Sequence, residues 1–356
     1  MKLLHSADWH LDSPLVGFTA SQQQQLRKAL LEIPGKLASI CHDENCDLVL
    51  LSGDLFDGPY TRDSYQAVYQ ALSEMGVPVF IAPGNHDFIS AESPWTRELW
   101  PENVYVFKDP HMGPVTLSQP RCCIFGAGFT AMDAPALLEG FRAQDPEMPL
   151  IGILHGDPTQ VRSPYNPITK KQVQDSGLAY LALGHIHKQG SFRAGDTLCA
   201  WPGCPMGRGY DEQGEKGVLI VTLEETAEIR FLPLDTPKFF DLEVEAADDP
   251  SAALNTLLPP VESDDYYRIT LTGPSTAVAL EPLYGEFSRF SNLTLRDRTT
   301  PPVDPWSAVG EDSFAGMYFS LLKQELETDD PAQQRIVRLA ARISRQILDG
   351  QEVKLP

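Results

Sequence analysis

Short runs of apolar and β-branched residues recur along the first two thirds of the chain and alternate with segments of helical pattern. Six of these runs predict strands, at residues 2–7, 48–52, 79–82, 122–125, 150–154 and 180–183. Helical patterns lie between them, for example at 21–31 and 63–75. This alternation favours an α/β architecture around a central sheet. After residue 190, three further runs predict consecutive antiparallel strands at 197–201, 217–223 and 228–234.

A second pattern begins after the break at residues 235–237. It predicts a small α+β module in which strands alternate with short helices, with strands at 239–245, 267–272 and 293–296. A Pro-rich linker follows at 299–305, and a last helix opens after Asp330-Pro331. We therefore expect three parts: a main domain at 1–235, the α+β module at 236–300, and a linker with a C-terminal helix at 301–356.

Charge and composition narrow the function classes. The 356 residues include 28 Lys and Arg against 49 Asp and Glu, a formal net charge of −21. Such a chain repels a phosphate backbone, which excludes a general nucleic-acid coat. A phosphate-bearing substrate is compatible with this charge only if metal ions or a basic patch reverse the sign near the site. The apolar stretches are too short to span a bilayer and no leader is visible, so we expect a cytoplasmic protein. Six cysteines without a C-x-x-C pair indicate reduced, buried thiols.

Five short polar blocks each lie at or just after the carboxyl end of a predicted strand. They are Asp8-Trp-His10, Gly53-Asp-Leu-Phe-Asp57, Gly84-Asn-His-Asp87, His155-Gly-Asp157 and Gly184-His-Ile-His187. Ligand sites of open α/β sheets form at those strand ends, so the blocks are expected to converge. Their carboxylate, amide and imidazole groups suit Mn, Fe or Zn. Two such ions about 3.5–4 Å apart clamp a phosphoryl group and activate a bridging hydroxide.

Each block alone is common in turns and at strand ends, and only the combination of all five indicates a metal site. Five of the eight histidines fall inside the blocks. The other three, His5, His42 and His111, are expected to be structural or surface residues.

The order of the blocks resembles the pattern of the calcineurin-like metallophosphoesterases, D-x-H, G-D-x-x-D, G-N-H-D, H and G-H-x-H, over about residues 1–235. Within that superfamily, the opening at residues 5–11 and the segments 202–207 and 211–217 resemble SbcD/YhaO-type DNA repair exonuclease subunits. Cys204 stands where those relatives carry a small polar residue. The resemblance implies an αββα sandwich with a small α+β capping domain, at 236–300, and a C-terminal helical tail.

The resemblance also implies a dinuclear site with seven ligands. Three hold one ion, three hold the other and one carboxylate bridges them: Asp8, His10 and His187; Asn85, His155 and His185; and Asp54. His86 would stabilise the transition state or protonate the leaving oxygen, and Asp87 would orient His86. Asp57 and Asp157 are expected to support ligands rather than bind metal. The implied reaction is phosphodiester hydrolysis by a DNA exonuclease with Mn²⁺, or with Fe or Zn in its place.

Binding DNA is difficult for so acidic a chain. Residues 235–300 alone carry 12 acidic and 5 basic side chains. Basic residues do flank the blocks (Lys170, Lys171, Lys188, Arg193 and Arg208), and we take Arg208 and Lys188 as candidate substrate contacts. A phosphoesterase acting on small diesters or nucleotides is therefore an alternative. A non-catalytic scaffold of the same fold is a third, although none of the expected ligands is missing from the sequence.

The C-terminal helix carries two adjacent stripes. Arginines 335, 338, 342 and 345 form one, and Ile336, Leu339, Ile343 and Ile347 form the other. The helix either packs on its own domain or docks to a partner, as family members dock to an SMC-like coiled-coil ATPase of the SbcC type. Many relatives form homodimers, and the sequence does not locate an interface.

Overall fold

The computed structural model describes residues 1–145, 147–247, 249–275, 278–300 and 304–350. The chain divides into two compact units. The first contains residues 1–240 and 264–266, and the second contains 241–263 together with the chain from 267 onward. The predicted three-part division stays a prediction, and part of its linker, at 301–303, lies outside the described residues.

Two six-stranded sheets form the first unit. The first has the order β12-β11-β1-β2-β3-β4 and the second β5-β6-β7-β8-β10-β9. The strands are β1 (Lys2–Ser6), β2 (Leu48–Leu51), β3 (Val79–Ile81), β4 (Val104–Val106), β5 (Gly113–Ser118), β6 (Arg121–Gly126), β7 (Leu150–His155), β8 (Tyr180–Gly184), β9 (Gly190–Ala194), β10 (Thr197–Trp201), β11 (Gly217–Leu223) and β12 (Ala227–Pro233).

Side-chain alternation along these strands builds three apolar layers. In β2, Leu48 and Leu50 pack between the two sheets with Ile151 and Ile153 of β7. Its other side chains, Val49 and Leu51, face the helices α1 (Ala20–Asp43) and α2 (Arg62–Met75). A third cluster covers the outer face of the second sheet and includes Val173 of α4 (Lys170–Asp175). The first unit is therefore an αββα sandwich, as the resemblance implied.

The strand pattern differs from the prediction in two respects. The expected central sheet is a pair of sheets, and β10 pairs in parallel with β8 and antiparallel with β9 instead of joining β11. The pairing of β11 with β12 is antiparallel, as predicted. The edge strands β5 and β9 were not predicted, because they alternate half-buried with exposed residues and lack an apolar run. A short helix, α3 (Pro94–Arg97), follows β3.

The second unit is α+β. Its sheet has the order β13 (Phe239–Glu245), β14 (Tyr266–Thr272) and β15 (Leu293–Asp297), with β14 and β15 parallel. Its helices are α5 (Pro250–Leu257), α6 (Leu280–Glu286), α7 (Phe314–Gln324), a 3₁₀ turn at Glu325–Glu327, and α8 (Pro331–Leu348). None of the helices in the described ranges combines the length and apolar character needed to cross a bilayer.

A small core joins α7 to α8. Phe319 of α7 and Ala341 of α8 are fully buried with Ala308, and Tyr318 shares a 2.7 Å hydrogen bond with Ser344. The predicted apolar stripe is only partly used, because Ile336 and Ile347 stay 60% and 61% exposed. The C-terminal helix thus packs on its own unit and still presents apolar side chains to solvent.

Candidate metal centre

The five blocks meet at one edge of the first unit, where parallel strands of both sheets end. Asp8 and His10 follow β1, Asp54 follows β2, and Asn85 follows β3. From the second sheet, His155 is the last residue of β7 and His185 follows β8 directly. Strand direction therefore explains why residues far apart in sequence come together.

The backbone under the site is held in a conformation that ordinary residues avoid. Asp8, His10, Asp54 and His185 have φ values of 56°, 48°, 53° and 100°. Each costs on the order of 1–3 kcal/mol and persists only where the surroundings enforce it. Here the loops after β1 and β2 hydrogen-bond side by side, with Asp8 N donating to Gly53 O and His10 N to Asp54 O, both at 3.0 Å.

Two glycines permit the close approach of these loops. A Cβ atom at Gly84 would lie 2.2 Å from Oδ1 of Asp54, and one at Gly184 would lie 2.1 Å from the carbonyl oxygen of Ser52. Any side chain at these positions would push a polar loop away from the site. The glycines of the G-N-H-D and G-H-x-H blocks are thus required by packing under the cluster.

Three residues form the first part of the cluster. Ligand atoms of Asp8, His10 and His187 all lie within 4.8 Å of one another. Nε2 of His10 and Nε2 of His187 are 3.1 Å apart, and the carboxylate of Asp8 accepts the backbone N–H of His185 at 2.9 Å. These are the residues that the resemblance assigns to one ion.

The second part lies around Asp54. Its Oδ2 is 3.3 Å from Nε2 of His155, and Asp8, Asp54 and His155 again have ligand atoms within 4.8 Å of one another. Oδ1 of Asn85 is 3.0 Å from Nε2 of His155 and 3.2 Å from Nδ1 of His185. Asp54 also approaches His10, with Oδ2 3.7 Å from Nε2, so its carboxylate lies between the two groups.

The donor set fits divalent cations. Nδ1 of His155 donates to the carbonyl oxygen of Ser52 at 2.8 Å, which directs Nε2 at the oxygens of Asn85 and Asp54. Nδ1 of His10 is buried and has no hydrogen-bond partner among the described residues. Imidazole nitrogens and carboxylate and amide oxygens that converge in this way are the donor atoms that a divalent cation would share.

The electrostatics of the cluster follow from burial and from its carboxylates. Burial lowers the pKa of His10, and it lowers that of His185, beside His155, to about 4. Burial also acts to lower the pKa of His155, but the adjacent Asp54 carboxylate outweighs it and raises the value to about 9. Burial opposes ionisation of Asp54, yet the surrounding histidines keep its pKa below the usual range. Asp54 is thus the ionised centre of the cluster.

His86 lies beside the cluster and is oriented by a residue other than the expected one. Its Nδ1 donates to Oδ1 of Asp57 at 2.5 Å, and this hydrogen bond raises the pKa of His86. Asp87 was expected to do this, but its carboxylate accepts the backbone N–H groups of Gly84, Asp54 and Leu55 at 2.7–3.2 Å. The Asp87 expectation is therefore corrected: Asp87 holds the loops after β2 and β3 together, and Asp57 orients His86.

Glu212 is a site residue to which the sequence pattern assigned no role, although it lies within the segment 211–217. Its Oε1 accepts from Nδ1 of His187 at 2.5 Å and from Arg208 at 2.8 Å. Burial opposes its ionisation, but these hydrogen bonds hold the pKa of Glu212 well below its usual range. With Nδ1 engaged, His187 presents Nε2 to His10. A carboxylate behind a G-H-x-H histidine is a common second partner of a metal-binding imidazole, and that is the signal that could have found it.

The two candidate substrate contacts lie in different environments. Arg208 is at the site, with Nη1 3.7 Å from Oδ2 of Asp57 and its side chain 17% exposed. Lys188 is exposed and only its backbone carbonyl has a described role, accepting from Trp201.

The remaining basic residues expected near the blocks have other contacts. Lys170 packs over the ring of Phe192, Lys171 pairs with Asp175, and Arg193 bonds to the carbonyl oxygen of Ala227. A basic rim built from these three is absent from the structure as described.

The other polar residues singled out from sequence are structural. Asp157 accepts from Thr159 and Gln160, and Cys204 is buried with its thiol 3.6 Å from the carbonyl oxygen of His187. His5 is buried between Tyr180 and Ser52, and burial lowers its pKa to about 3. His42 and His111 bond to Glu74 and Asp109. All six cysteines are buried and unpaired.

Known proteins resemble the chain over the part that builds this site. Residues 1–189 match the calcineurin-like phosphoesterase family. The chain is 30% identical over 234 residues to a Bacillus subtilis (strain 168) protein named uncharacterized metallophosphoesterase YhaO, covering 62% of this chain and 57% of that protein. It is 25% identical over 268 residues to the SbcD subunit of the nuclease SbcCD of the same organism, covering 62% of this chain and 66% of that protein.

A solved structure, that of TT1561 of Thermus thermophilus, aligns with a TM-score of 0.40 and 14% identity over 65% of this chain and 98% of that one. The chain spans less than two thirds of the length of either curated relative. The family match covers more than half of this chain. The chain belongs to the calcineurin-like phosphoesterases, and its SbcD/YhaO-type character is supported by both relatives.

Proposed function

We propose that this protein is a metal-dependent phosphodiester hydrolase that acts on DNA as an exonuclease. The observation that carries the proposal is the convergence of Asp8, His10, Asp54, His155 and His187 into one buried cluster of imidazoles and carboxylates. Membership in a phosphoesterase family supports the hydrolase, and the relative from the nuclease SbcCD supports the nuclease.

Seven residues would hold two divalent ions. Asp8, His10 and His187 form one group, Asn85, His155 and His185 the other, and Asp54 lies between them. When bound, such ions supply Lewis-acid charge that activates water and neutralises charge developing on the phosphoryl oxygens. We propose Mn²⁺ as the physiological ion, because a nitrogen and oxygen donor set suits it; the same set accepts Fe or Zn.

His86 is proposed to handle the proton of the leaving group. Asp57 holds the Nδ1 proton, which leaves Nε2 as the ring atom that can carry and deliver a second proton. The hydrogen bond to Asp57 favours the protonated ring, and the side chain is 44% exposed, so substrate can reach it. Arg208, next to Asp57, is placed to meet a substrate phosphate, whereas Lys188 is proposed only as an outer contact.

Hydrolysis of small diesters or nucleotides is the second candidate. The observation that favours it is the charge: the chain carries −21, and Lys170, Lys171 and Arg193 are engaged away from the cluster. Small substrates reach a deep site without needing a basic surface. Because the ligand set is complete, a non-catalytic scaffold is the least supported of the three.

We further propose a cytoplasmic protein that docks to an SbcC-type coiled-coil ATPase through α7 and α8. The relative SbcD is named as one subunit of a complex, and the second unit exposes apolar residues on both helices. A partner could also provide the positive charge that duplex DNA requires. A homodimer is proposed on the resemblance alone.

The decisive experiment follows release of nucleotides from end-labelled linear duplex DNA with Mn²⁺. Wild type is compared with His86→Ala and with the control His111→Ala, which removes an exposed histidine paired to Asp109. Bound metal is measured separately by elemental analysis. We expect nucleotide release by wild type and the control, and a loss on the order of 10²–10³-fold in His86→Ala with metal retained.

Three outcomes would contradict parts of the proposal. Full activity of His86→Ala would refute the role of His86. If wild type leaves DNA intact but hydrolyses a small diester, the second candidate replaces the exonuclease. If wild type hydrolyses neither substrate with two ions bound, the hydrolase proposal fails.

A further inference from the structure

A half-open cleft extends from His86 along the surface of the first unit. Its volume is about 810 Å³, within the roughly 300–1,000 Å³ of small-molecule sites. The lining comes from the loop after β2, the start of α2 and the segment around α3. His86 is both part of this lining and the residue proposed to protonate the leaving oxygen. The leaving group of a substrate would therefore depart into the cleft.

Three aromatic side chains line the cleft. Tyr60 donates its hydroxyl to Glu98 at 2.6 Å, and Tyr65 donates its hydroxyl to the carbonyl oxygen of Leu99 at 2.7 Å. These bonds fix the orientation of both rings. Phe88 is half-buried, and within the described residues its ring stacks on no other aromatic side chain. The cleft therefore offers a preorganised aromatic lining in which the Phe88 ring has no aromatic stacking partner among the described residues.

The cleft lining carries both signs of charge, with two arginines against three carboxylates, Asp87, Glu92 and Glu98. Arg97 pairs with Glu92 at 2.7 Å, and the second lining glutamate, Glu98, accepts from Tyr60. Arg62, the first residue of α2, is exposed, and no carboxylate in the described ranges forms an ion pair with it. One guanidinium in the cleft is therefore available to an anion, in a protein that carries a net charge of −21.

We propose that this cleft binds the nucleoside on the leaving-group side of the scissile phosphate, with the base against Phe88 and Arg62 directed at a neighbouring phosphate. The direction of the substrate rests on the proposed function. Stacking on an aromatic side chain tolerates any base, because every base has a π-face, and it needs no basic surface. An acidic chain can thus hold a nucleic-acid end by its base as much as by its backbone.

The binding test uses full-length protein with EDTA, titrated calorimetrically with adenosine and with AMP. Phe88→Leu keeps apolar volume but removes the ring, and its control is Phe192→Leu, a half-buried ring on β9 outside the cleft. We expect Phe88→Leu to bind both ligands at least tenfold more weakly than wild type. Arg62→Gln should weaken the binding of AMP about fivefold and leave the binding of adenosine unchanged. The control Arg121→Gln should bind both ligands as wild type does.

The proposal is overturned if wild type binds no adenosine up to its solubility limit, or if Phe88→Leu binds it as wild type does. An equal loss of adenosine and AMP in Arg62→Gln would refute the phosphate contact. No metal or turnover enters this titration, so its failure is distinct from failure of the hydrolase proposal.

The leaving-group assignment is tested with the metal-loaded enzyme. The two substrates are a dinucleoside monophosphate and a nucleotide methyl ester in which methanol replaces the leaving nucleoside. Phe88→Leu should raise the KM for the dinucleoside monophosphate, and the factor of this increase should be at least five times that for the methyl ester. Equal changes in both KM values would overturn the assignment.

Discussion

The two units deviate from an ordinary globular composition in opposite ways. The first buries polar groups: Asp8, His10, Asp54, Asn85 and His155 are each at most 6% exposed. The second exposes apolar ones along two helices: Phe314, Met317, Leu321, Ile336 and Ile347 are each at least 60% exposed. The first also exposes large apolar side chains, such as Val16, Leu99 and Val161, but these lie on separate loops. Buried charges and exposed apolar patches are both unfavourable for a chain on its own. Under the proposed function, each unit is completed by a different kind of interaction: metal coordination in the first and apolar contact with a partner in the second.

The largest expected effect breaks the first half of this comparison. Asp54→Asn removes the carboxylate that lies between the two ligand groups, and Asn tolerates the positive φ of 53°. We expect loss of one or both metal equivalents and a fall in diester hydrolysis of about 10³-fold. Metal content and initial rates measure this, with Asp157→Asn as the control. Wild-type metal content in Asp54→Asn would contradict the assignment.

A smaller effect is expected behind the ligands. Glu212→Gln keeps the shape of the side chain but weakens the hydrogen bond that orients His187. Metal affinity should fall about 10–100-fold at one of two sites, as when a partner behind a metal-binding histidine is lost. Calorimetric metal titration separates the two sites, and Glu215→Gln, an exposed neighbour, is the control. Equal weakening at both sites would argue for general distortion instead.

The second half of the comparison is tested on α8. Ile336→Ser with Ile347→Ser removes exposed apolar surface and leaves the buried Val337 and Ala341 in place. Affinity for the proposed SbcC-type ATPase partner should fall at least about tenfold, while thermal stability and metal content stay as in wild type. The double variant Arg335→Gln with Arg342→Gln measures how much the basic stripe contributes to this affinity. Undiminished affinity in the isoleucine variant would remove α8 from the interface.

The smallest effect sharpens the contrast within the first unit between His155 and His5. The charge of the adjacent Asp54 carboxylate outweighs burial and raises the pKa of His155 to about 9, whereas burial between Tyr180 and Ser52 lowers the pKa of His5 to about 3. Neutral His5 therefore stabilises the fold above pH 6.5, and this contribution is lost as the pH falls toward 3. The loss is about 1.4 kcal/mol per pH unit.

Urea unfolding in EDTA at pH 7.5 and 5.5 measures this contribution. Both proteins should lose stability when the pH is lowered from 7.5 to 5.5. We expect the free energy of unfolding of wild type to fall by about 1.4 kcal/mol more than that of His5→Gln, because only wild type contains the buried His5. Taking this difference cancels the titration of the other groups. An identical decrease in both proteins would mean that His5 is already protonated in the folded protein at pH 5.5, which contradicts the prediction.

Much of the fold and the set of candidate ligands could be predicted because both depend on local signals. Apolar runs mark the strands. The polar blocks that follow them combine carboxylate, amide and imidazole side chains, a combination that is typical of metal sites. The orienting residues could not be predicted in the same way. Asp87 directly follows His86, whereas Asp57 precedes it by 29 residues, and only the loop conformation decides that Asp57 reaches the ring while Asp87 meets backbone N–H groups.

The same limit applies to Glu212 and to surface elements. Glu212 follows His187 by 25 residues, and nothing local connects them. The strands β5 and β9 carry half-exposed patterns, and α7 combines buried Phe319 with exposed Phe314 and Met317, so its pattern does not define one face.

The position of β1 in its sheet has a consequence for the emergence of the chain during synthesis. The strand pairs with β2 on one side, only about forty residues later, but on the other side with β11, at Gly217–Leu223. Until the ribosome has released residue 223, β1 has an open edge, and His187 and Glu212 arrive only shortly before. A nascent chain therefore has no complete candidate metal centre until residue 212 has been made. Its ions are expected to enter late, after the sheet that supports them has closed.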